Sequence, residues 1–178
     1  MSSHNILAIS GSTRETSVNN AILHHIQTNQ NITIYKGLTT LPYFNPDLTD
    51  PENLPAPVRD FLRQVENADG VIICTPEYVF SLPGILKNAI EWCVSTTVFQ
   101  DKPLAMIVAS LSGQKAFESL DLVMTTVGAR TTPGTKLLIS GAYSKLDKAT
   151  NTLDSHTITL LDKLMNSFQD LLAATPHT

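Results

Sequence analysis

The sequence predicts an α/β domain built on an open, five-stranded parallel sheet in the order 2-1-3-4-5, with helices on both faces. Two observations carry this. Short apolar, partly β-branched runs recur along the chain, as expected for strands covered on both faces, and the segments between them place apolar residues at helical spacing. Strict β-α alternation with right-handed crossovers then leaves the doubly wound sheet as the simplest solution. Ligands of such a sheet bind at the carboxyl ends of its strands.

In chain order, the first strand is the run 6–10, and a helix follows over 20–27. The second strand is 32–35. The stretch 37–55 carries Pro42, Pro46, Pro51 and Pro55, which forbid a regular element; a connection that long is usually functional or an interface. Its apolar side chains Leu41, Tyr43, Phe44 and Leu48 are expected at the surface. A helix over 56–67, a strand over 71–75, a helix over 85–94, a strand over 104–110, a helix over 116–127 and a strand over 137–140 continue the alternation. The last helix, 155–172, shows its apolar face as Leu161, Leu164, Met165, Phe168 and Leu172. All 178 residues are read as one domain, long enough to bury a core without staples.

The junction between the first strand and first helix, Gly11-Ser12-Thr13-Arg14-Glu15-Thr16-Ser17-Val18-Asn19, has the makings of an anion site. A helix N-terminus presents unpaired N–H groups, Ser12, Thr13, Thr16 and Ser17 add neutral donors, and Arg14 can grip two phosphate oxygens at once. A phosphate monoester would fit. The same residues also read as an ordinary capped helix, with Ser17 or Asn19 at the N-cap and Arg14 in solvent.

Composition narrows the partners. The net charge is −4 and no lysine or arginine cluster occurs, so nucleic acid and anionic membrane lack their electrostatic driving force. Met1-Ser2-Ser3-His4 offers no basic n-region and the next apolar run breaks at Gly11, which predicts neither signal peptide nor membrane span and a cytoplasmic address. Cys74 and Cys93, without CxxC spacing, suit a reducing compartment and read as packing residues, with Cys93 the more reactive of the two. His4, His24, His25, His156 and His177 show no paired-ligand spacing, so no metal site is expected.

A second chemical segment, Thr75-Pro76-Glu77-Tyr78-Val79-Phe80-Ser81-Leu82-Pro83-Gly84, leaves the third strand at the switch point of the sheet, on the same edge as the first loop. Pro76 and Pro83 stiffen it, Tyr78 and Phe80 offer flat apolar surface, and its backbone amides can bond the edge of a planar heterocycle. Lys87 and Glu91 read as a surface ion pair, Trp92 as packing or interface.

Together, Gly11, Ser12, Arg14, Ser17 and Asn19 in the pattern G-S-x-R-x-x-S-x-N, and Pro76 to Trp92 in the pattern P-E-Y-x-x-S-x-P-G-x-L-K-N-A-I-E-W, closely resemble the NADPH-dependent FMN reductases of the flavodoxin-like fold, which include quinone, chromate and azo-dye reductases. The resemblance spans residues 6–142. It implies that Ser12, Arg14, Ser17 and Asn19, with Val18 beside them, hold the FMN phosphate. It implies that Pro76, Glu77, Tyr78 and Ser81, with Val79, line the isoalloxazine and ribityl chain, and that the backbone at Ser112 and Gly113 approaches the flavin. The chain departs from the family pattern at Val79, where asparagine is common, and in residues 110–116, where relatives are often glycine-rich and this chain has one glycine.

The function this implies is transfer of electrons from NADPH or NADH through bound FMN to a small oxidised acceptor (a quinone, azo compound, metal oxyanion or free flavin) in a ping-pong scheme. No catalytic side chain is expected, because the chemistry lies on FMN; Tyr78 shapes the substrate face. A homodimer or homotetramer is expected, as in relatives. The rival readings are a flavodoxin-type electron carrier and a module that has lost flavin. A receiver domain shares the topology but needs carboxylates where this chain has Ser10 and Thr75.

Overall fold

Side chains alternate across the two central strands, and this divides the interior into two cores. The computed structural model describes residues 4–147 and 149–175. Strands β1 (Ile6–Ser10), β2 (Ile32–Tyr35), β3 (Gly70–Thr75), β4 (Leu104–Ala109) and β5 (Lys136–Ile139) pair in parallel in the order β2-β1-β3-β4-β5. Every residue of β3 and β4 is buried, which is why both read as unbroken apolar runs, whereas the edge strand β2 exposes Thr33. Leu7, Ile9, Val71 and Ile73 face α2 (Ala56–Glu66), α3 (Gly84–Glu91) and α4 (Gln114–Thr126); Ile6, Ala8, Ile72 and Cys74 face α1 (Val18–Asn29) and α5 (Ser155–Ala173). Fully buried side chains such as Phe61, Ile22 and Phe168 each contribute about 1.5–3 kcal/mol to this packing.

The fold is the flavodoxin-like one the sequence predicts, and element boundaries shift for local reasons. Helix α1 starts two residues before the expected position because Ser17 is its N-cap, accepting from the Asn20 amide at 3.1 Å. Helix α3 ends at Glu91 instead of running to Val94: the amides of Cys93 and Val94 reach back only three residues, to Ile90 and Glu91, and tighten the last turn. Helix α4 begins at Gln114, ahead of the expected Ala116, because Gly113 takes the left-handed conformation at its cap. A small antiparallel pair, β6 (Leu146–Asp147) with β7 (Thr152–Leu153), was not anticipated; two-residue strands are too short to show a period.

The proline-rich stretch holds two 3₁₀ turns, Leu38–Thr40 and Pro46–Leu48, and is fastened to α3. Trp92 Nε1 and Asn88 Nδ2 both donate to the Pro42 carbonyl, at 2.9 and 3.0 Å, and Asn88 Oδ1 accepts from the Phe44 amide at 2.8 Å. Phe44 stands edge-on to Trp92, with ring centroids 5.2 Å apart. Leu41 and Phe44 are therefore drawn inward, against the expectation that all four apolar residues lie at the surface; Tyr43 and Leu48 remain exposed. Trp92 is wholly buried packing.

Both cysteines are free and buried. Burial pushes the Cys93 thiol up to about 12 and raises Cys74 as well, so neither forms a thiolate readily and both serve as packing residues, as expected. Lys87 and Glu91 pair at 2.6 Å on the surface of α3. No described helix is long and apolar enough to cross a membrane. Residues 1–3 and His177 lie outside the described residues.

Candidate active site

The loops after β1, β3, β4 and β5 meet at the carboxyl edge of the sheet. Their convergence begins at Gly11, whose amide donates to the Cys74 carbonyl at 2.8 Å as the chain leaves β1. A Cβ at this position would lie 2.1 Å from Thr75 Oγ1 and 2.7 Å from Thr75 Cβ, so the two loops can start side by side only if the residue has no side chain.

Beyond Gly11, the loop is held from within. Ser10 Oγ donates to Asn20 Oδ1 at 2.6 Å, and Asn20 Nδ2 donates in turn to the carbonyls of Arg14 and Glu15. The Ser12 hydroxyl, nearly buried, accepts from the Arg14 amide. Arg14 itself is exposed; its Nε donates to Thr16 Oγ1 at 3.2 Å, and among the described residues it makes no ion pair. Val18 and Asn19 occupy the first helical positions of α1, where backbone amides have no partner inside the helix.

Asn19 departs from its expected role. Its side chain turns inward, Nδ2 donating to the Ala109 carbonyl at 3.1 Å and Oδ1 accepting from Cys74 Sγ at 3.3 Å, so it pins α1 to the ends of β3 and β4. Only its backbone is left to face a ligand.

The loop after β3 closes on itself between Tyr78 and Ser81, each amide donating to the other's carbonyl at 3.0 Å. Its two central residues, Val79 and Phe80, both sit at positive φ, 52° and 54°. Non-glycine residues held there cost of order 1–3 kcal/mol each. Glu77 is engaged elsewhere: Oε1 accepts from the Gly113 amide at 3.2 Å, and Oε2 from the amides of Lys115 and Ala116 at 2.9 and 3.0 Å. The carboxylate thus caps α4 and ties the loop after β3 to the loop after β4, with Ser110 Oγ reaching the Glu77 carbonyl at 3.5 Å. The loop after β5 joins the same assembly through Ala142, whose amide donates to the Ser110 carbonyl, and through Ser140 Oγ, which donates to the Ser112 carbonyl.

A crevice of about 130 Å³ opens between these loops. Of the residues singled out from sequence, Ser12, Arg14, Ser17, Val18, Asn19, Pro76 and Tyr78 line it; Glu77, Val79, Ser81, Ser112 and Gly113 do not. Thr16, named from sequence as a neutral donor, lines it as well, whereas Thr13 does not; sequence reasoning missed Ala109, Ser110, Ala142, Tyr143 and Leu146 among the lining. Ala109 and Ser110 end the fourth strand, and Tyr143 follows the fifth, so the rule that ligands sit at strand carboxyl ends would have found them. Arg14 is the one charged side chain in this lining. A larger hollow, about 460 Å³, lies at the opposite edge, but there Lys102 Nζ already donates to the carbonyls of Glu66 and Ala68, and Arg130 to that of Leu171.

Residues 4–144 match the family described as NADPH-dependent FMN reductase. A subunit of the NADH:(hydroxy)cinnamate reductase of Vibrio ruber is 30% identical over 174 residues, covering 92% of this chain and 85% of that protein. An NAD(P)H-dependent FMN reductase of Pseudomonas aeruginosa is 28% identical over 173 residues, covering 92% of each. Among solved structures, the flavoenzyme NAD(P)H:(acceptor) oxidoreductase FerB of Paracoccus denitrificans superposes with a TM-score of 0.75 at 24% identity, over 96% of this chain and 97% of that one.

The Glu77 tie has a measurable consequence. Hydrogen bonds to a charged acceptor contribute about 1.5–3 kcal/mol each, and a cap about 0.5–2 kcal/mol, so Glu77→Ala should lower unfolding free energy in urea by roughly 2–4 kcal/mol. Glu77→Gln, which keeps one acceptor oxygen, should lose about half of that. A loss no larger than that of an ordinary surface substitution would show that the carboxylate is not holding the loops.

Proposed function

The chain belongs to the NADPH-dependent FMN reductase family, oxidoreductases that use NAD(P)H and FMN, and we propose that the crevice between the four loops is where its FMN is held. The observation that carries this reading is the combination of a guanidinium with no ion pair among the described residues, a helix N-terminus and several hydroxyls in the lining of a crevice whose other groups are neutral. That donor set suits a phosphate monoester. The amides of Val18 and Asn19 and the hydroxyls of Ser12, Thr16 and Ser17 donate to phosphate oxygens, and Arg14 supplies the counter-charge. Ser17 can do this while capping α1, because the cap uses its oxygen as acceptor and leaves its proton free.

A crevice of about 130 Å³ is smaller than a whole cofactor site, which typically encloses roughly 300–1,000 Å³. It fits the phosphate and ribityl end and leaves the ring system against the neutral part of the lining, which includes Pro76, Tyr78 and Tyr143. Glu77, Ser81, Ser112 and Gly113 serve by shaping the two loops; Val79 stands at the rim. When bound, FMN supplies the electron-transfer chemistry, and the chain supplies binding, orientation and shielding from water. The crevice lining holds no His–carboxylate couple, and a nicotinamide needs none in order to dock on the open side. The nicotinamide and the oxidised acceptor occupy that side in turn, which is the ping-pong order. Tyr78 shapes the surface both must use.

The acceptor is a small oxidised molecule: a quinone, an azo compound, a metal oxyanion or free flavin. Exposed Tyr43, Leu48 and Val94 near α3 support a homodimer or homotetramer, and two buried free thiols suit a cytoplasmic address.

The phosphate assignment is tested by comparing FMN with riboflavin: FMN should bind much more tightly, and Arg14→Ala should weaken FMN binding by roughly ten- to a hundredfold with the fold intact. Equal dissociation constants for the two flavins would place the phosphate elsewhere. For turnover, initial rates with nicotinamide and acceptor both varied should give parallel double-reciprocal lines, and intersecting lines would rule out alternating use of one face. Tyr78→Ala should lower kcat/KM more than it weakens FMN binding, because the phosphate end stays anchored. The reverse order of effects would make Tyr78 a cofactor anchor.

A further inference from the structure

The turn between Tyr78 and Ser81 conflicts with its own sequence. Two reciprocal backbone hydrogen bonds and two successive residues at positive φ define a two-residue type I′ turn, for which Asn-Gly is the strong preference. Here the two positions hold Val79 and Phe80. A β-branched residue is among the worst choices for left-handed backbone, and a bulky aromatic is little better. Packing does not explain them either: Val79 is 95% and Phe80 77% exposed. The flanking Tyr78 and Ser81 are held by their reciprocal backbone bonds, Tyr78 lines the crevice and Leu82 beyond them is buried in the core, so the turn carries two exposed apolar side chains beside the crevice.

Strained backbone that carries exposed apolar groups beside a ligand crevice is the arrangement found at ligand clamps. Charge points to the ligand class. The one cation lining the crevice, Arg14, is assigned to the FMN phosphate, so an anionic acceptor such as a metal oxyanion meets no further positive group there. A flat neutral ring meets Tyr78, Val79 and Phe80 in sequence along one rim.

We propose that Val79 and Phe80 form a specificity-determining lip for a planar aromatic acceptor. This rests on the reading of the crevice given above. The lip binds the acceptor and takes no part in electron transfer. It favours quinone-like and other aromatic acceptors over compact inorganic oxidants, which need no apolar surface.

The test compares FMN-loaded wild-type protein with Phe80→Gly and Phe80→Leu, using a naphthoquinone and hexacyanoferrate as acceptors. Glycine relieves the backbone and removes the ring, so Phe80→Gly should raise Tm by about 2–4 °C. Its kcat/KM for naphthoquinone should fall about tenfold, that for hexacyanoferrate staying within about twofold. Phe80→Leu, which keeps apolar surface, should retain most of the naphthoquinone activity. Equal losses with both acceptors, or no loss with either while the wild-type protein turns over, would overturn the lip and leave the crevice reading standing. A change of oligomeric state in Phe80→Gly, measured by light scattering, would also overturn it, because the tip would then be a subunit contact. If no nicotinamide reduces the FMN-loaded wild-type protein, the crevice reading itself falls, and the lip with it.

Discussion

The carboxylate of Glu77 accepts from three amides at the start of α4, and through it the loop leaving β3 and the loop leaving β4 become one unit. The remaining loops are fixed relative to this unit. Gly11 lets the β1 loop start in contact with Thr75, Asn19 pins the first turn of α1 to the end of β4, and Ala142 and Ser140 fasten the β5 loop to residues 110–112. Four connections that a parallel sheet merely brings to one edge are thereby held at a set spacing. The crevice is what remains between them.

This arrangement separates anchoring from contact. On the proposed reading, the phosphate end is built from backbone amides at a helix N-terminus, hydroxyls and the exposed Arg14 guanidinium, all of which favour negative charge. The rest of the lining, Pro76, Tyr78 and Tyr143 among it, is neutral. A site divided in this way would hold its cofactor by the tail and leave one side of the ring system open to a second molecule. That feature distinguishes a reductase, which must admit two substrates in turn, from a carrier that only exchanges electrons with protein partners.

The fold was legible because each of its causes is local. Continuous apolar runs marked the buried strands, and helical spacing marked the faces that cover them. The loop after β1 is legible in part: Ser17 caps α1 and Arg14 is exposed, as an ordinary capped helix predicts, while Ser12, Arg14, Thr16 and Ser17 also line the crevice, as an anion loop requires. The side chains of Asn19 and Glu77 hold the loops around the crevice, and Asn19 lines it as well. Their partners, the carbonyl of Ala109 and the amides of residues 113–116, are distant in sequence, and no local pattern announces where a buried amide or a carboxylate will turn. Val79 was noticed as a departure from the family pattern. Only the backbone angles show that it sits in a turn adopted against the preference of both central residues.

On the account given above, the crevice presents a bound FMN to a nicotinamide. Anaerobic mixing of the FMN-loaded protein with NADPH or NADH, followed through the flavin's visible absorption, tests this most directly. Saturable bleaching by at least one nicotinamide, with the colour restored when an oxidised acceptor is added, is the predicted result. Bleaching by a chemical reductant but by neither nicotinamide at any concentration would contradict the claim and leave an electron carrier in its place.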